Sequence, residues 1–118
     1  MPNYPERIEV TTGERRITYT LRAGSEAPLY DVAGSGSTVT ATGGVWVRFA
    51  AGQEAKARAA EIANAGYEID HLPGYAPNAV YVRAADIAAA LAGLDRLRAI
   101  SGVEHVEPEM LRPRSFRG

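Results

Sequence analysis

One pattern is written twice along this chain. "VWVRFAAG" begins at Val45 and "VYVRAADI" begins at Val80. Each opens Val-aromatic-Val-Arg, a period-2 alternation that predicts a strand. Each then enters an alanine-rich stretch, "QEAKARAAEIANA" and "ADIAAALAGLDRLRAI", that predicts a helix. Gly66 and Gly102 close these stretches at the left-handed position that ends helices. A further β-prone run follows each glycine, "YEIDHL" and "VEHVE". Helical spacing groups Ala55, Ala59, Ile62 and Ala63 on one face of the first helix, and Ile87, Leu91, Leu94 and Leu97 on one face of the second. Gly93 falls inside the second helix, at a local cost of about 1 kcal/mol relative to alanine.

Strand–helix–strand repeated is the split βαβ arrangement, so the expected class is α+β. The expectation is a ferredoxin-like sandwich: a four-stranded antiparallel sheet with two helices on one face, plus an N-terminal β extension. The loop "PGYAPN" joins the halves with strong turn chemistry at Pro73, Gly74, Pro77 and Asn78. Residues 44–109 form the expected domain, 110–118 an extended tail, and 1–43 the extension. Within the extension, Ile8 and Val10 should face Ile17 and Tyr19 across a turn at Gly13.

The 118 residues suffice for one domain with a real core. Thirteen basic residues oppose 14 acidic ones, which argues against counterion-driven nucleic-acid binding. Cysteine is absent, so disulfides and thiol catalysis are excluded. No apolar run reaches membrane-spanning length. The opening "MPNYPERIEV" lacks signal-peptide layout, so a cytoplasmic location is expected unless a leader has been removed.

Tests for chemistry come back empty. His71 and His105 fall on strands expected at opposite edges, roughly 14 Å apart, too far to share one small ion. Ser101 adjoins a helix-ending glycine, where serine is common for backbone reasons. The glycines of "AGSGS" and "TATGG" do not form a phosphate cradle between a strand and a helix. The expectation is a non-enzyme without cofactor or metal.

Trp46, Arg48, Tyr81 and Arg83 are more informative. They alternate with Val45, Val47, Val80 and Val82, so a sheet with its valines toward the helices presents two aromatics and two arginines on its open face. Aromatic and Arg side chains are enriched at protein interfaces. The same face could instead lie under the N-terminal segment, or stack nucleotides.

From Gly44 to Gly118 the run "VWVRFAAG", helix, "GYEID", "NAVYVRAAD", helix, "SGVEHVEPE" resembles the pro-region of subtilisin-like serine proteases, also found as free-standing proteinase B inhibitors. The resemblance implies that the open sheet face docks on two surface helices of such a protease, in cis or in trans. It implies that Glu107 and Glu109 cap those helices, whose N-termini carry unpaired N–H groups and partial positive charge. It also implies that the tail lies in the active-site cleft. The second helix is longer than the family pattern, and Glu109 stands where aspartate is more usual.

Leu111, Arg112, Pro113, Arg114, Ser115 and Phe116 are then the cleft-binding residues. A cleft-bound segment pairs its main chain at alternate positions, and Pro113 has no N–H to give. That selects Arg114 or Phe116 as the residue before the cut, with Arg114 preferred; Gly118 stays open. The expected role is a pro-domain that assists folding of the protease and then blocks it as a product. The alternatives are an adaptor or regulatory module binding another protein, or a single-stranded RNA binder using Trp46 and Tyr81.

Overall fold

A computed structural model describes residues 3–12, 14–24 and 27–112. Its organising element is the strand that begins well before Val45. Val45, Val47 and Phe49 are fully buried, while Arg48 between them is exposed. This alternation belongs to a twelve-residue strand, Thr38–Phe49. In chain order the strands are β1 (Arg7–Thr12), β2 (Arg15–Leu21), β3 (Leu29–Val32), β4 (Thr38–Phe49), β5 (Glu68–His71), β6 (Ala79–Arg83) and β7 (Val103–Leu111).

One edge of β4 pairs with β7 from Thr40 to Phe49. Its other edge is shared by two strands placed end to end: β3 at Thr38–Thr40 and β6 at Gly44–Arg48. Beyond β3 come β2 and then β1, and beyond β6 comes β5. All pairings are antiparallel. The result is one seven-stranded sheet curled into a half-barrel with three short α-helices.

This corrects the expected ferredoxin-like sandwich of four strands and two helices. The strands expected in a separate extension are hydrogen-bonded into the main sheet through β3 and β4. The reason lies at "TATGG". The glycine pair there does not end a strand; it bends one. Gly43 takes φ 95°, a left-handed value that suits glycine. The register with β7 shifts between Ala41 and Val45, and Gly44 N–H donates to Thr42 Oγ1 at 3.2 Å. Pairing resumes on both sides of this bulge.

The hairpin residues meet as spaced: Ile8 pairs with Tyr19 and Val10 with Ile17, while the turn at Gly13 lies outside the described residues. Ile8, Val10, Tyr19 and Tyr30 belong to the same core cluster as Val45, Val47, Leu91 and Leu97. Tyr30 donates its hydroxyl to the Pro5 carbonyl at 2.7 Å, and Arg98 donates to the Glu9 carbonyl at 2.8 Å. The first bond ties β3 to the segment that leads into β1, and the second ties β1 to the Arg98 end of the second helical stretch.

The helices also differ from expectation. The first alanine-rich stretch opens as a 3-10 turn, Ala55–Arg58, before α1 (Ala59–Asn64). Ala55 and Ile62 are buried, but Ala59 and Ala63 are exposed. The change of pitch at Arg58 breaks the expected face. The second stretch is divided at Gly93 into α2 (Ile87–Ala92) and α3 (Leu94–Arg98). Leu91, Leu94 and Leu97 are buried and Ile87 is half-buried. Asp86 caps α2, its Oδ1 accepting from Ala89 N–H at 2.7 Å. Gly66 and Gly102 both adopt left-handed φ after their helices.

Candidate docking face

Alternation sends the valines of β4 and β6 into the core, so Trp46, Arg48, Tyr81 and Arg83 share the opposite face of the sheet. Trp46 pairs with Tyr81 across β4 and β6, with ring centroids 4.6 Å apart and planes tilted by 59°. Tyr81 in turn stacks on His71 of β5, with centroids 4.3 Å apart. Three rings thus form a ladder across three strands. Tilted and offset pairs of this kind are favourable beyond the area they bury.

His71 was not legible as part of this ladder. Strict alternation from Ile69 opposite Val82 would put Asp70, not His71, opposite Tyr81. A register shift between Ile69 and His71 changes that. Nothing in the local sequence marks the shift. Asp70 lies 3.1 Å from His71 Nδ1 and 3.5 Å from Arg83 Nε.

On the other side of the ladder, Glu107 pairs with Trp46. Glu107 is half-buried and lies 3.4 Å from Nε2 of His105, which is almost fully buried. The Tyr19 phenol is pushed up, first by burial and then by the negative charge of Glu107. Glu109 is exposed and accepts the Thr42 hydroxyl at 2.6 Å, beside the Gly43–Gly44 bulge. Arg48 and Arg83 are exposed. The two carboxylates proposed as helix caps therefore lie on one strand, two residues apart, next to the aromatic ladder.

β5 and β7, which carry His71 and His105, have β6 and β4 between them. Among the described residues there is no group of three or more potential metal ligands. Among the same described residues, no helix is long and apolar enough to cross a membrane.

The tail residues are only partly in view. Met110 and Leu111 still belong to β7, opposite Ala41 and Thr40. Leu111 is 55% exposed and Arg112 follows it, exposed. Pro113, Arg114, Ser115, Phe116 and Gly118 lie outside the described residues. Two exposed apolar side chains escaped sequence reasoning: Leu72 and Tyr75, in the loop between β5 and β6. No family model, curated protein or solved structure matches this chain.

Proposed function

We propose that this chain is a non-catalytic protein-docking domain, directed at a subtilisin-like serine protease as a pro-domain or product-like inhibitor. The observation that carries the docking reading is the Trp46–Tyr81–His71 ladder, accessible on one sheet face and flanked by Arg48, Arg83, Glu107 and Glu109. Aromatic anchors ringed by charge suit the centre and rim of an interface. The protease assignment rests on the residue resemblance from Gly44 to Gly118 alone, since the four-stranded sandwich that the resemblance implied is not the fold observed.

In this reading the rings pack against the partner and exclude water, which strengthens the polar contacts around them. Glu107 and Glu109 accept N–H groups from helix N-termini, each worth roughly 1 kcal/mol when partly buried. Glu109 already accepts one hydroxyl from Thr42, which holds its carboxylate in place for a second donor. The segment after Leu111 continues from the sheet into the active-site cleft. Binding only the native protease would also stabilise it, so inhibition and folding assistance share one origin.

The test is inhibition of a panel of subtilisin-like proteases by the purified chain. Truncation after Leu111 leaves β7 intact, so it should abolish inhibition while complex formation survives. Absence of both inhibition and complex with every protease tried would overturn the protease reading. Capture of single-stranded RNA in a salt-dependent gel shift would replace it with the nucleic-acid alternative.

A further inference from the structure

At β1 the sheet ends in an unpaired edge with a helical stretch beside it. β1 hydrogen-bonds only to β2. Thr18, opposite Glu9, sends its carbonyl to the Ala33 N–H at 2.9 Å, away from β1. Just before β1, the Glu6 carbonyl accepts from the Leu21 N–H at 2.8 Å, so Glu6 faces β2. Ile8, Val10 and Thr12 therefore bond to β2, and Arg7, Glu9 and Thr11 turn their N–H and C=O groups outward. The Glu9 carbonyl agrees, because Arg98 holds it from outside at 2.8 Å.

Between this edge and the α2–α3 stretch runs a groove of about 690 Å³. Residues 3–9 form one wall, and Leu91, Leu94, Asp95 and Arg98, spaced three and four apart, form the other. Its floor is apolar, made of Ile8, Leu91 and Leu94, all buried. Arg98 closes one end. The charges nearby are largely answered within the chain: Arg7 and Arg16 lie 3.3 and 3.8 Å from Glu9, and Arg98 lies 2.8 Å from Asp95. What stands open is main chain. Among the described residues, no group takes the N–H and C=O of Arg7 or the N–H of Glu9.

We propose that this groove takes up an extended peptide of a partner as an added antiparallel strand, with alternate apolar side chains. Its main chain pairs with Arg7 and Glu9, and its apolar side chains rest on Ile8, Leu91 and Leu94. An edge strand flanked by a helix offers what such a peptide needs: main-chain bonds give affinity, and room for alternate side chains gives selectivity. Antiparallel addition continues the pattern of every other pairing in this sheet. It also fixes which peptide residues do what. A residue bonded to Arg7 or Glu9 shares their outer face, so the apolar residues are the ones between. The inference stands apart from the protease reading, because β1 carries none of the aromatic ladder.

The experiment is an NMR titration of the isotope-labelled full chain with capped hexapeptides that alternate threonine with valine, leucine or phenylalanine. The expected result is saturable shifts at the Arg7 and Glu9 amides and at Leu94. N-methylating the threonines should weaken binding by at least about tenfold, because it removes the donors facing β1. N-methylating the apolar residues should leave it within about twofold, because their N–H groups face away. Arg7→Pro removes the outward N–H and no ladder bond, so β1 should still pair with β2, and binding should fall by at least about tenfold. Arg7→Ala should bind within about twofold of the unaltered chain. If Arg7→Pro fails to fold, the two methylated peptides still decide. No saturable shift, shifts confined to the Trp46–Tyr81 face, equal or reversed losses from the two methylations, or equal binding by the two Arg7 variants would each overturn the proposal.

Discussion

A β-carbon placed on Gly93 would stand 2.7 Å from the Tyr67 hydroxyl. That hydroxyl donates to the Ala90 carbonyl in the last turn of α2, and the Tyr67 ring is buried. The Tyr67 ring, from the connection between α1 and β5, therefore occupies the space that a side chain at position 93 would need. Arg96 reinforces the site by donating to the Ala65 carbonyl at 2.9 Å.

Replacing Gly93 by alanine sets two effects against each other. Helix propensity favours alanine by about 1 kcal/mol. Overpacking against Tyr67 and Arg96 costs roughly 1–3 kcal/mol. The close contact to a buried ring decides the sign, so Gly93→Ala should lower stability by up to about 2 kcal/mol in urea denaturation. The double variant with Tyr67→Phe should lose less stability than the sum of the two single losses, since both act on one space.

Gly43 should tolerate substitution less well than its neighbour Gly44. Its φ is 95°, and a β-carbon there would lie 3.2 Å from Ile87 Cγ1. Left-handed backbone costs an L-residue about 1–2 kcal/mol before any clash. Gly43→Ala should therefore be the more destabilising of the pair, measured as the shift in Tm. If both variants melt alike, the bulge does not have this conformation.

Alkaline pH should unfold the chain through its buried tyrosines. Burial pushes Tyr67 up to about 12, although the nearby charges of Arg96 and Arg98 oppose the shift. Tyr30 is likewise pushed up to about 12, with burial as the main cause. An unfolded tyrosine ionises near 10, so the unfolded state loses its proton first. The stability is fully present below pH 10 and falls as pH rises from 10 through 12, by about 1–2 kcal/mol for each phenol once solvent screening is allowed for. Tyr30→Phe should flatten this fall in urea titrations at pH 9 to 12. It should also cost about 1 kcal/mol at neutral pH, through the lost bond to the Pro5 carbonyl.

The aromatic ladder should matter more for binding than for folding. Trp46→Ala removes a half-buried ring and its contact with Tyr81, a pair worth about 0.5–1.5 kcal/mol beyond buried area. If the face docks a partner as proposed, the same change should weaken the complex by at least about 2 kcal/mol, the scale of an interface anchor. Calorimetry on a protease complex checks this. An affinity unchanged by both Trp46→Ala and Tyr81→Ala would move the docking site elsewhere.

Much of the local structure could be read directly from residue order. The alternation around Val45 and Val80 specified which side chains enter the core, because a strand's side chains change face at every residue. The pairing of Ile8 with Tyr19 and Val10 with Ile17 was equally legible, since apolar residues flank a short connection. So was the presentation of Trp46 and Tyr81 on the face opposite the valines. What local order could not supply was how edges are shared. The bend at Gly43 lets β4 run from Thr38 to Phe49, so β3 and β6 occupy successive halves of one edge and four strands become seven. The shift in β5 that brings His71 onto Tyr81, and the room that Gly93 leaves for Tyr67, arise the same way. Each depends on contacts between residues far apart in the chain. A glycine pair reads alike whether it ends a strand or bends it, and only the partners waiting on either side decide.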